Sequence, residues 1–305
     1  MNLPLFAVEK LLRTYKMMGQ LIYNKPLIAR SAFEKLTGNL PQREEGYIYK
    51  KIEIEDFRAE WVIPANADND KVFLYFHGGG YATGSIRTHR PLVNQLVKHS
   101  GVAALSVEYH LAPEKKFPTQ INQCVLAYKY LLSEGFSPEN IALGGESAGG
   151  GLVAGTLLWL KDQKLPQPAC AILLSPWLDL TASGKSNITK READPMLPYK
   201  GIPIWAENYA PGNTKHPYAS PLFGNVSGLC PMYIQVGENE VLLDDSVRFA
   251  EKLKKAKVDV KIEIWKDMFH AFQGFWPVLE QSKEANKKLG QYLKDKLKAQ
   301  KLQAA

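Results

Sequence analysis

The chain has 305 residues, 45% of them hydrophobic, enough for one large core without a second independent domain. No run approaches the roughly 18 apolar residues of a membrane span, Glu9, Lys10, Arg13 and Lys16 interrupt the apolar stretch Leu3–Tyr23 that a secretory leader would need, and Cys124, Cys170 and Cys230 form no C-x-x-C pair, all of which points to a cytoplasmic protein. The net charge of +7 is concentrated near the C-terminus, where seven lysines between residues 281 and 305 face only Glu284 and Asp295; Leu289, Tyr292, Leu293 and Leu297 recur among them at helical spacing, so the lysines read as the wet face of an amphipathic helix rather than a nucleic-acid patch.

In chain order, Leu5–Leu36 reads as two helices broken near Asn24–Pro26 and closed at Thr37–Gly38, where glycine can take the left-handed conformation. Tyr47–Ile54 and Arg58–Ile63 are joined by too few residues for a crossover helix and are expected to pair antiparallel. Val72–Phe76, Val102–Val107, Ile141–Leu143, Ala171–Leu174, Met232–Val236 and Val260–Trp265 follow, mostly with helix-length segments between them. That pattern predicts an α/β fold with an eight-stranded, mostly parallel sheet flanked by helices. Thr181–Asn225 falls outside the alternation; it is rich in Pro, Gly and aromatics and carries Trp205 and Tyr209 at helical spacing.

Gly145-Glu146-Ser147-Ala148-Gly149 matches G-x-S-x-G, whose small residues permit a tight strand-to-helix turn that exposes a serine. A bare match arises by chance in roughly one chain of this length in ten, so the strand Ile141–Leu143 before it and the helix Ala148–Lys161 after it carry the weight. Ser147 is the candidate nucleophile. A helix starting at Ala148 aims unpaired amides and the positive end of its dipole at the serine oxygen. His77-Gly78-Gly79-Gly80 follows the strand Val72–Phe76, and acyl transfer needs backbone donors where a carbonyl oxygen becomes negative. The amides of Gly78, Gly79 and Ala148 are the expected oxyanion hole. A phosphate cradle would need a G-x-x-x-x-G-K-[ST] or G-x-G-x-x-G pattern, and neither accompanies the loop.

Together with Tyr109-His110-Leu111-Ala112-Pro113-Glu114, Phe117-Pro118, Ser175-Pro176-Trp177-Leu178-Asp179 and Ser220-Pro221-Leu222, these motifs resemble the hormone-sensitive-lipase family of esterases within the α/β-hydrolases, over about Tyr47–Trp276. The resemblance implies a helical cap built from residues 1–45 and an insertion at 181–225, over a catalytic core of 46–180 and 226–305. It implies His270, in Met268-Phe269-His270-Ala271-Phe272, as the base, with Ala271 where the family usually has glycine. His77, upstream of any acid, is expected to be structural, and core or surface roles are expected for His89, His99, His110 and His216. The family's D-P-L-x-D falls on Glu240-Val241-Leu242-Leu243-Asp244, which makes Glu240 the expected triad acid, with Asp244 and Asp245 as rivals in the first turn of a helix.

The expected activity is hydrolysis of short- to medium-chain carboxylic esters through an acyl-enzyme, with neither cofactor nor metal. A small-molecule ester is the expected partner, without stable membrane insertion, and the family offers precedent for a homodimer. Tyr81, Trp205 and Tyr209 are the candidate substrate contacts. The alternatives are a non-catalytic binding relative, as in plant hormone receptors of this fold, and a lactone or long-chain lipid hydrolase.

Overall fold

Period-two alternation sorts the strand side chains into two apolar layers. The structure, a computed structural model, describes residues 2–37, 40 and 42–298; the expected closure at Gly38, the side chain of Lys298 and Lys301 lie outside the described residues. Two N-terminal helices, α1 (Leu5–Ile22) and α2 (Pro26–Thr37), precede strands β1 (Ile48–Ile54), β2 (Phe57–Ile63) and β3 (Val72–Phe76). Then follow α3 (Ile86–Ser100), β4 (Ala103–Glu108), α4 (Thr119–Ser133), β5 (Ile141–Glu146), α5 (Ala148–Asp162) and β6 (Cys170–Leu174). The remainder comprises α6 (Ser186–Thr189), α7 (Ile202–Tyr209), β7 (Met232–Gly237), α8 (Leu243–Lys255), β8 (Val260–Trp265) and α9 (Glu280–Lys298).

Val72, Leu74 and Phe76 of β3 point into one layer, with Ile121 of α4, Leu152 of α5 and Phe249 of α8. Phe73 and Tyr75 point into the other, where Val93 and Leu96 of α3 meet Leu289, Leu293 and Leu297 of α9. Both faces of the sheet are thus covered, as its apolar strands require. On α9 the lysines keep to the wet side, where Lys283 pairs with Glu280, Lys288 with Glu263 and Lys296 with Asp259. The three cysteines are buried as free thiols. No helix among the described residues is long and apolar enough to cross a membrane.

The eight strands run in the order β1-β2-β4-β3-β5-β6-β7-β8. β1 pairs antiparallel with β2 through the Glu55–Asp56 turn, as the short connection demands, and from β4 onward every pairing is parallel. β4 inserts between β2 and β3, so β2 also meets β4 antiparallel, Arg58 opposite Glu108. β5 runs three residues past its expected end at Leu143, because Gly144 leaves room for Phe73 and Ile172 on neighbouring strands: a Cβ there would lie 2.5 Å from the Phe73 ring. The carboxyl ends of β3, β5, β6, β7 and β8 converge at one edge, the usual place for a ligand crevice in such sheets. α1 and α2 and the 181–225 segment cover that edge. Lys16 of α1 donates to the carbonyls of Arg191 and Asp194, and the Trp205 indole of α7 to that of Tyr23.

Candidate active site

Ser147 occupies the single-residue turn between β5 and α5 with φ 55° and ψ −120°, a backbone region that side chains rarely enter. Its amide donates to Leu174 O (2.9 Å), and its carbonyl accepts from Gly151 (3.1 Å) and Trp177 (2.9 Å), so three neighbouring segments hold the strain. Only glycine fits at 149, where a Cβ would stand 2.0 Å from the Phe76 carbonyl oxygen.

His270 follows β8 and reaches Ser147 Oγ with Nε2 at 2.9 Å; its Nδ1 lies 2.8 Å from Glu240 Oε2. With a carboxylate at Nδ1, that nitrogen carries the proton and Nε2 is left to accept the serine's. Glu240 is itself held: Oε1 accepts the Ser175 hydroxyl (2.9 Å) and the Gly237 amide (2.5 Å). The Ser175 oxygen in turn accepts the Ala271 amide at 3.1 Å, so one side chain braces both the carboxylate and the histidine loop. Asp244 and Asp245 are spent elsewhere. Asp244 accepts the Ser186 amide, and Asp245 the amides of Leu178 and Asp179. Of the carboxylates considered from sequence, Glu240 is the one the fold brings to His270.

Burial alone would lower the His270 pKa, but the hydrogen bond and charge of Glu240, aided by the charges of Glu146 and Asp194, outweigh it and hold the imidazole above its usual value. A base must be neutral to work, so activity is lost as pH falls through that raised pKa. We expect the acid limb of kcat/KM to lie above 6.5. Removing the Glu146 charge with Glu146→Gln is expected to move that limb to lower pH, measured in a pH–rate profile of both enzymes.

Ala271 sits in the left-handed region, φ 53° and ψ 32°, which explains why the family favours glycine there. Relief of this strain predicts that Ala271→Gly raises the free energy of unfolding by roughly 1 kcal/mol, read from denaturant titration.

The glycine loop departs from expectation at one position. The Glu146 carboxylate packs against Gly78, where a Cβ would lie 2.0 Å from Glu146 Oε2. Gly79 and Gly80 line the cavity, and Gly78 does not. Among the described residues the amides of Gly79, Gly80 and Ala148 have no backbone acceptor. Two side chains fix the loop's peptide planes: the Tyr109 hydroxyl donates to His77 O (2.8 Å), and His77 Nδ1 to Gly78 O (2.8 Å). Burial, with the nearby His89, lowers the His77 pKa to about 3, so it stays neutral in this structural role.

Sequence reasoning missed Glu146, His89, Asp194 and the bracing part played by Ser175. Glu146 fills the variable position of the serine motif, yet its Oε2 meets His89 Nε2 at 3.0 Å against the cavity wall. Asp194 accepts the Val241 amide, tying the 181–225 segment to the loop that carries Glu240. The only advance sign of Ser175 was its place in the Ser-Pro-Trp motif.

The cavity above Ser147 has a volume of about 120 Å³ and is walled by Tyr15, Tyr23, Phe33, Leu197, Ile202 and Trp205. Tyr81 and Tyr209 are corrections: both are fully buried and stack on each other at 3.6 Å between ring centroids, outside the cavity lining. Their helical and loop positions put large rings near the site without exposing them. Of the three candidate contacts, Trp205 alone reaches the cavity, its ring packed over Gly80.

A family profile for the alpha/beta hydrolase fold matches residues 73–274. An acetyl-hydrolase of Streptomyces hygroscopicus is 40% identical over 237 residues, 77% of this chain and 79% of its own. A crystal structure of a hormone-sensitive lipase from a metagenome library superimposes with a TM-score of 0.91 at 33% identity, covering 97% of this chain and 100% of that one. The crystal structure of EstE5 soaked with p-nitrophenyl butyrate gives 0.88 at 38% identity, covering 96% of this chain and 98% of that one.

Proposed function

Because the chain belongs to the α/β-hydrolase fold family, in its hormone-sensitive-lipase branch, and is a carboxylic ester hydrolase, we propose that Ser147, His270 and Glu240 are its catalytic triad. The observation that carries this reading is the continuous chain from Ser147 Oγ through His270 to Glu240, at 2.9 and 2.8 Å. Ser147 Oγ attacks the ester carbonyl as His270 Nε2 takes its proton. The carbonyl oxygen becomes an oxyanion held by the amides of Gly79, Gly80 and Ala148. Collapse breaks the C–O bond, and His270 returns the proton to the departing alcohol. Water then attacks the acyl-enzyme with the same assistance, releasing the acid and restoring the serine. Residues 1–45 and 181–225 act as a cap that encloses the acyl group.

The size of the cavity supports a short-chain substrate. At about 120 Å³ it is smaller than the roughly 150 Å³ that admits benzene in an engineered protein cavity, which suits a short acyl chain. A relative's crystal was soaked with a butyrate ester, consistent in size. The test is a p-nitrophenyl ester series of rising acyl length, with a fluorophosphonate to label the nucleophile. Turnover is expected to be highest on the short esters and to fall about tenfold or more on long ones, with label at Ser147; a flat profile, or label elsewhere, overturns the reading. Trp205→Ala, which opens the wall over Gly80, is expected to raise the octanoate-to-butyrate ratio of kcat/KM by about tenfold.

A further inference from the structure

The cap helices α1 and α2 turn one side to the cavity and leave the other bare. On the bare side, Phe6, Met17, Met18 and Leu21 of α1 and Leu27 and Ile28 of α2 are exposed, Phe6 and Leu21 by 71% and 74%. At 100° per residue, Phe6, Lys10, Met17 and Leu21 fall within about 60° of one another and form a single stripe along α1. This stripe is not a core face that has lost its partner, since Val8 and Leu12 already pack α1 against Met268, Phe269 and Phe272. Among residues 2–37 every charged side chain classed as exposed is a cation: Lys10, Lys25, Lys35 and Arg13, the last also donating to the carbonyls of Glu192 and Ala193. The two acids, Glu9 and Glu34, are partly covered, and Glu34 is engaged by Ser85 and by Arg87 at 3.5 Å.

We infer that the outer face of α1 and α2 docks the enzyme peripherally on an anionic lipid surface. A helix face that mixes large apolar side chains with lysine and arginine suits the headgroup boundary: the apolar groups enter it and the cations meet lipid phosphates. Each cation near an anionic bilayer strengthens partition by about fivefold. A second copy of the chain is the poorer occupant, because a twofold contact through this face sets cations against cations. Spanning is excluded for α1 and α2, neither of which is long and apolar enough to cross. The inner faces of the same helices supply Tyr15, Ile22 and Phe33 to the cavity wall, so docking brings the ester site to the layer where amphiphilic esters concentrate.

The test is co-sedimentation of the full chain with vesicles of phosphatidylcholine, alone or mixed with phosphatidylglycerol, at low and high salt. Binding is expected on the anionic vesicles and about tenfold or more weaker on neutral ones or in high salt. The triple variant Lys10→Gln, Lys25→Gln, Lys35→Gln is expected to lose about a hundredfold in partition, and Phe6→Gln, Met17→Gln, Leu21→Gln a comparable amount. Both should hydrolyse soluble p-nitrophenyl butyrate like wild type, which reports folding. Ser147→Ala should bind vesicles unchanged, so docking and catalysis fail separately. Absence of wild-type binding to anionic vesicles, or binding that neither triple variant weakens, overturns the inference. So does a wild-type dimer in sedimentation velocity that the apolar variant splits while vesicle binding is absent.

Discussion

Ser147→Ala is expected to lower kcat by roughly 10⁴- to 10⁶-fold, with KM little changed. In the proposed mechanism the hydroxyl oxygen is the atom that bonds to the acyl group, and nothing replaces it: among the described residues His270 hydrogen-bonds no second nucleophile. Residual turnover is expected from the proposed oxyanion donors, the amides of Gly79, Gly80 and Ala148, which would polarise a bound carbonyl with or without the serine. Stability separates from activity at this position. Because Ser147 is held at φ 55°, Ser147→Gly is expected to be as inactive as the alanine variant yet more stable by about 1 kcal/mol. Steady-state kinetics and thermal unfolding on the two variants check both statements; an alanine variant within a hundredfold of wild type places the nucleophile elsewhere.

Glu240→Gln is expected to lower kcat by about 10⁴-fold. Glutamine keeps the shape but offers a neutral acceptor, or an amide that turns a donor toward Nδ1 and favours the wrong tautomer. It also removes the charge, and with it the charge-assisted hydrogen bond, that lifts His270 against the effect of burial. The acid limb of whatever activity remains should therefore move to lower pH. Asp245→Asn provides the contrast. Burial and the neighbouring Asp179 push Asp245 up to about 8, so it is largely protonated at neutral pH, and an asparagine oxygen can accept the same two amides. Activity within about threefold of wild type is expected there. A large loss in Asp245→Asn with a small one in Glu240→Gln would reverse the assignment of the acid.

What the sequence revealed was local. Strands read well where alternation or an unbroken apolar run marked them, and α5 was announced by the glycines and alanines that start it. The insertion of β4 between β2 and β3 was not legible, because no short-range feature records that Arg58 ends up opposite Glu108. The oxyanion loop shows the same limit at atomic scale. Gly78, Gly79 and Gly80 are alike in composition, and what sets Gly78 apart from the two that line the cavity, the Glu146 carboxylate packed against it, lies 68 residues downstream. Tyr81 and Tyr209 misled for a related reason: a large ring beside a glycine loop suits a substrate wall and a buried stack equally, and only the 3.6 Å stacking decides. Glu240 stood out from its rivals through family resemblance, and the backbone amides that occupy Asp244 and Asp245 give the physical ground for that choice.

Val8 and Leu12 pack in one cluster with Met268 and Phe269, the residues just before His270. The first helix and the loop that carries the imidazole consequently share one packing cluster. An enzyme grafted with a foreign first helix would be altered in turnover as well as in taste, because the graft replaces part of the seat on which the imidazole rests. Breadth of substrate range and speed of reaction are not separate dials on this scaffold, and selection for a new ester through α1 would have to restore the histidine's footing at each step.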